Sequence, residues 1–77
     1  MENTIEIVSR SKIRGAFEGF KKDRIYEMFS GFKWRQIGEK DKSGDSRNPI
    51  AQVTMKNGRY FLEIADMGPS VEVQRFD

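Results

Sequence analysis

The stretch Ile50-Ala-Gln-Val-Thr-Met-Lys-Asn-Gly-Arg-Tyr-Phe-Leu-Glu-Ile64 decides the fold class. Two runs that alternate apolar and polar residues flank Asn57-Gly58, and this dipeptide accepts the positive φ that a type I′ turn needs at both central positions. A two-residue loop fixes the register. It sets Met55 opposite Tyr60, Val53 opposite Leu62 and Ala51 opposite Ile64 on one face, with Lys56 opposite Arg59, Thr54 opposite Phe61 and Gln52 opposite Glu63 on the other. Turn chemistry and apolar pattern select this register independently. Downstream, Asp66-Met-Gly-Pro-Ser70 breaks the chain, and Val71 and Val73 alternate with Glu72 and Gln74 in a final strand. Pro49 suits the start of its strand, where a missing amide donor does least harm.

No window sustains apolar residues at helical spacing, so the chain is all-β. Its 77 residues make one small domain, of a size that buries only about 60–65% of the surface exposed by the unfolded chain. The first half is built differently from the hairpin. Ile13, Gly15, Phe17 and Gly19 share one face of an extended run until Phe20 follows out of phase, which predicts a bulge near Gly19 and Phe20. Glycines there permit the bending that closes a small barrel. Lys21-Lys22-Asp23 makes a turn, Arg24 to Phe29 the next strand, Ser30-Gly31 a tight turn, and Phe32 to Ile37 another strand.

A two-residue loop at Ser30-Gly31 pairs Phe29 with Phe32, Glu27 with Trp34 and Ile25 with Gln36, and leaves neither face cleanly apolar. Either the loop is longer and the register shifts, or the ribbon is buried on one side and partly covered on the other. Residues 38–48 are polar and charged, which predicts a mobile surface loop. An oligonucleotide-binding barrel normally carries a plugging helix at such a point, and this stretch offers none. Residues 1–9 alternate weakly, as an N-terminal arm or edge strand. The expectation is a single domain over 10–77, a five- to six-stranded antiparallel SH3-like barrel.

Composition excludes several functions. Without cysteine there is no disulfide or thiolate metal site, and without histidine the commonest general base and zinc ligand are missing. Met1 is followed at once by Glu2, and no apolar run reaches the length of a signal-peptide core or membrane span. The expectation is a cytoplasmic protein, complete from its initiator methionine. The net charge is only +2, but it is unevenly spread: between Arg10 and Arg35 eight basic residues face three acidic ones (+5), whereas from Asn48 to Asp77 three face four (−1). That asymmetry can give a small barrel a basic face, although a solvated surface would show the same bias.

The string Ile13-x-Gly15-x-Phe17-x-Gly19-Phe20-x-x-Asp23-x-Ile25-Tyr26-x-Met28-x-x-Gly31-x-x-Trp34-x-Gln36 resembles a family of short bacterial and phage-associated domains. Its members read Ile-x-Gly-x-Phe-x-Gly-[Trp/Phe]-x-Gly-[Asp/Glu]-Thr-[Val/Ile]-Phe-x-Leu-x-Asn-Gly-x-x-Trp-x-Gln. Val71-Glu72-Val73-Gln74-Arg75 extends the likeness loosely. The chain departs from the pattern at Ser30-Gly31, where relatives have Asn-Gly, at Lys33, where they have an apolar residue, and in its charged loop, where they have an aromatic tract. The resemblance implies a small β fold and carries over no catalytic residue.

The same segment holds six of the nine aromatic residues and the only tryptophan. Trp34 reads either as a core residue or as a stacking platform between Lys33 and Arg35. Phe29 and Phe32 bracket the turn, as an exposed knob or as a cross-strand pair capping the barrel. Arg10, Lys12, Arg14, Lys21, Lys22 and Arg24, interleaved with aromatics, are the ingredients of a single-strand or RNA groove, blunted by Glu18, Asp23 and Glu27. Glu39, Asp41, Ser43 and Asp45 superficially suggest calcium ligands, yet two lysines intrude and the closing glutamate is absent. No nucleophile–base pair or phosphate-cradling loop is present, so no enzyme, cofactor or metal is expected. The expected function is binding of a protein or peptide through Tyr26, Phe29, Phe32 and Trp34, with Arg24, Lys33 and Arg35 steering an acidic partner. Nucleic acid is the rival occupant of that face, and assembly through a strand edge is the third reading. The chain is expected to be a monomer or weak homodimer.

Overall fold

A computed structural model describes residues 6–76. It contains eight strands: β1 (Glu6–Lys12), β2 (Ala16–Phe20), β3 (Ile25–Glu27), β4 (Lys33–Gln36), β5 (Lys42–Arg47), β6 (Ile50–Lys56), β7 (Arg59–Ile64) and β8 (Val71–Phe76). Every pairing is antiparallel. A six-stranded sheet runs in the order β1-β6-β7-β8-β4-β3, and β2 pairs with β5 in a separate ribbon. The outer strands of the six-stranded sheet come together at a single bridge, Ile13 with Met28. Beside it the Arg14 amide donates to the Glu27 carbonyl at 2.7 Å and the Phe29 amide to the Lys12 carbonyl at 2.9 Å.

The β6–β7 hairpin has the register that Asn57-Gly58 dictates, from Ala51 with Ile64 to Lys56 with Arg59. Both turn residues have positive φ, 54° and 78°. Ala51, Val53, Leu62 and Ile64 are buried, while Met55 and Tyr60 are half-buried at the turn end.

The expected single strand from Ile13 to Phe20 is bent into two. Its corner is shared: the Gly15 amide donates to Asn48 Oδ1 at 2.8 Å, and the Asn48 amide returns a bond to the Gly15 carbonyl at 2.9 Å. Both chain segments therefore leave the large sheet together and form the β2–β5 ribbon. The bulge expected near Gly19 and Phe20 lies one step earlier and on the other strand: the register shifts between Phe17 and Gly19 with the extra residue on β5, since Phe17 pairs with Ser46 and Gly19 with Ser43. Gly19, with φ of 117°, is held by close approach. A Cβ there would run into the Lys42 carbonyl oxygen and lie 2.8 Å from the Gly44 nitrogen.

That contact corrects the expectation for 38–48. Lys42–Arg47 forms β5 although it carries no apolar pattern, because backbone pairing with β2 holds it and its Gly44 lies under Met67 and Phe17. Of residues 1–9, read as an arm or edge strand, Glu6 to Ser9 open β1, an edge strand of the sheet, and residues 1–5 lie outside the described residues.

The β3–β4 register also differs from the simplest one. Ile25 pairs with Arg35, Tyr26 with Trp34 and Glu27 with Lys33. The loop is one residue longer, Phe29-Ser30-Gly31, closed by the Gly31 amide on the Met28 carbonyl and the Met28 amide on the Phe32 carbonyl, both 2.9 Å. Gly31, at φ 98°, takes the left-handed position that ends such a turn. A one-residue slip moves a strand's side chains to the other face. Tyr26, Met28, Trp34 and Gln36 consequently share the inner face, and all four are buried. They join Ile13, Phe17, Phe20, Val53, Leu62, Val71 and Val73 in one core.

A candidate contact surface at the β3–β4 turn

The register divides the aromatic and basic residues expected to form one face. Trp34 is 2% exposed and Tyr26 3%, so neither can meet a partner, and both are corrected to core positions. The indole packs on Tyr60 with centroids 5.2 Å apart, and its Nε1 is buried with no hydrogen-bond partner among the described residues. Tyr26 lies against Phe17 and Phe20, at 5.8 and 6.3 Å.

The Tyr26 hydroxyl belongs to a polar centre organised by Gln36, which is fully buried. Gln36 Oε1 accepts from Tyr26 Oη at 2.6 Å and from the Lys21 amide at 3.0 Å, while Nε2 donates to the carbonyls of Gly38 at 2.9 Å and Lys40 at 2.7 Å. All four capacities of the amide are used. Arg24 supports the same region, its Nη1 donating to the Gly19 carbonyl at 2.9 Å, so its role is structural. Burial raises the Tyr26 hydroxyl above its ordinary pKa, and the Lys21 amide and the Arg24 charge act in the opposite sense. One trace of this centre is visible in the sequence, the Trp-x-Gln ending of the 13–36 string.

What stays outside is the turn itself. Phe29 is 48% exposed and Phe32 39%, and each ring carries a guanidinium. Arg14 lies 5.5 Å from the Phe29 centroid and Arg75 4.8 Å from that of Phe32. Arg14 also approaches Glu27, Nε to Oε2 at 3.9 Å. Lys33 is exposed beside the turn and pairs across strands with Phe76, itself 38% exposed. Arg35, on the outer face, is 3.8 Å from Asp23 and belongs to the neighbouring turn rather than to this surface.

The structure thus keeps Phe29, Phe32 and Lys33 of the expected set at the turn and adds Arg14 against Phe29, Arg75 against Phe32 and Phe76 beside Lys33. Phe29, Lys33 and Phe76 lie on the outer face, Phe32 and Arg75 at the end of the face that carries Trp34. Arg14 was visible as a member of the basic alternation Arg10, Lys12, Arg14. Arg75 and Phe76 reach the turn only through the β4–β8 pairing, which leaves no local trace in the sequence. A separate cleft of about 590 Å³ opens on the outer side of β6 and β7, lined in part by Arg10, Gln52, Glu63 and Asp66. Gln52 Nε2 donates to Glu63 Oε1 there at 3.0 Å, so its polar groups are partly used on one another. Among the described residues no three carboxylates gather as a metal site, and no helix is long and apolar enough to cross a membrane. Comparison with protein-family models, curated proteins and solved structures finds no match for this chain.

Proposed function

We propose that the chain is a small cytoplasmic binding module, monomeric or weakly dimeric by itself, that docks an acidic protein or peptide on the β3–β4 turn. The observation that carries this reading is the pair Phe29 and Phe32, two large rings left outside an otherwise well-filled core, each stacked against an arginine. Aromatic and arginine side chains in one patch are the groups that dominate protein contacts when desolvated. Arg14, Lys33 and Arg75 give the patch its sign and would steer a negative partner. An enzyme would need convergent titratable groups in a pocket, and the cleft on β6 and β7 is lined by no residue of the turn. Single-stranded nucleic acid is the other polyanion such a surface could take, and the experiment separates the two.

Wild type and a Phe29→Ala, Phe32→Ala double variant are compared by affinity capture and by titration with single-stranded DNA and RNA. A protein captured by wild type and lost in the folded double variant supports the reading. Equal capture by both refutes it, and a strongly salt-dependent oligonucleotide shift without protein capture transfers the surface to nucleic acid.

A further inference from the structure

The open edge of β1 begins where the turn ends. Phe29 donates to the Lys12 carbonyl, and beyond that bond Glu6 to Ser11 pair with β6 on one side and with no strand on the other among the described residues. Alternation places the backbone groups of every second residue on the same side of a strand. The Lys12 carbonyl and the Arg14 amide face the β3 side, with Phe29 opposite Lys12, so both backbone groups of Arg10 face the open edge. Arg10 and Lys12 pair across β6 with Gln52 and Ile50 and share their outer face. Neither has an ion-pair partner among the described residues.

From this edge we infer that the partner of the turn binds as an added strand: an extended acidic segment pairs antiparallel with β1 and sets a carboxylate opposite Arg10, next to the Lys12 charge. This rests on the turn as the contact surface and specifies how it is used. Strand addition of this kind takes its affinity from main-chain hydrogen bonds and its specificity from alternate side chains. The added strand would end against Phe29, which alternation from buried Met28 puts on the outer face beside Lys12. A second copy of this chain fits the edge poorly. Self-pairing centred on Arg10 or on Ser11 opposes basic side chains, and pairing centred on Ser9 must pass through the register shift between Ile7 and Ser9. That shift and the basic side chains are also the devices by which edges resist indiscriminate pairing. An acidic strand is the occupant they do not repel.

The test uses a synthetic peptide of about six alternating glutamate and valine residues, the length of a common strand. Two N-methylated isomers accompany it, each blocking one of the two alternate sets of peptide amides, so the protein itself is left unchanged. Binding is followed by amide shifts and hydrogen exchange. Strand addition predicts that the Arg10 amide shifts and gains protection, and that one isomer loses about tenfold or more in affinity while the other keeps it. Equal binding of both isomers, with shifts confined to Phe29 and Phe32, overturns strand addition and leaves the turn as a contact surface. Shifts at neither place overturn both. Arg10 reports on the edge and Phe29 and Phe32 on the turn, so the two failures are read separately.

Discussion

Gln36→Leu removes a side chain that joins three segments of the chain. The leucine has nearly the same volume, so the substitution withdraws hydrogen bonds without opening a large cavity. Four bonds disappear, two accepted by Oε1 and two donated by Nε2. At about 0.5–1.5 kcal/mol net for each, the loss is about 2–6 kcal/mol. Several contributions offset it. Leucine returns about 1–2 kcal/mol through its apolar surface. The Lys21 amide keeps Tyr26 Oη at 3.3 Å, and the carbonyls of Gly38 and Lys40, on half-buried residues, can take water.

The expected net cost is about 2–3 kcal/mol, against a total stability of about 4–12 kcal/mol for a chain of this length. Trp34 reports the unfolding transition by fluorescence. With a urea dependence of about 1 kcal/mol per molar, the midpoint should fall by about 2–3 M. Tyr26→Phe in the same background separates the polar centre from general packing. Because Tyr26 and Gln36 share a bond, the double variant should lose about 1 kcal/mol less than the sum of the single ones. A Gln36→Leu midpoint within about 0.5 M of wild type, or additive single effects, would show that the amide is not holding these segments together.

Trp34 emission should be blue-shifted and shielded from soluble quenchers, and Trp34→Ala should cost about 3–5 kcal/mol in urea unfolding; a red, readily quenched emission contradicts its burial. Gly19→Ala should destabilise by about 2–4 kcal/mol, since the new methyl meets β5 backbone that cannot move aside like a side chain, and loss of amide protection should concentrate in β2 and β5. Stability should hold up to about pH 10, the ordinary tyrosine pKa, and then fall as pH rises toward the elevated value of Tyr26. The unfolded tyrosine ionises first, so above that pH the unfolded state binds fewer protons than the native one. Tyr26→Phe should remove this component of the alkaline limb, which a pH series of urea melts would detect.

Legibility in the sequence followed the range of the interactions. Asn57-Gly58 settled β6 and β7 because a local turn and a local pattern suffice there. Ser30-Gly31 did not settle β3 and β4. The same dipeptide serves a two-residue loop or, with Phe29 included, a three-residue loop ending at Gly31, and the difference of one residue decides whether Trp34 faces in or out. The fact that neither face was cleanly apolar in the shorter loop was the usable signal, and the longer loop resolves it. β5 left no trace, because its polar residues are strand only through β2 and the approach of Gly19. Arg75 and Phe76 were equally invisible as neighbours of the turn, which depends on β8 lying beside β4.

Burial explains what the 13–36 string encodes. Ile13, Phe17, Phe20, Tyr26, Met28, Trp34 and Gln36 are named positions of that string, and all are buried. Gly19 fits the close approach to β5, and Gly31 ends the turn. Apart from Asp23 and Ile25, which are exposed, the named positions therefore build the frame. Arg14, Phe29, Phe32 and Lys33 occupy positions that the string leaves open, and these are the residues the frame holds out at the turn. A chain sharing the named positions would build the same turn and could present quite different side chains on it. Lys33 is such a side chain: it lies on the exposed side of β4, where its charge costs the core nothing and sets the sign of what can approach.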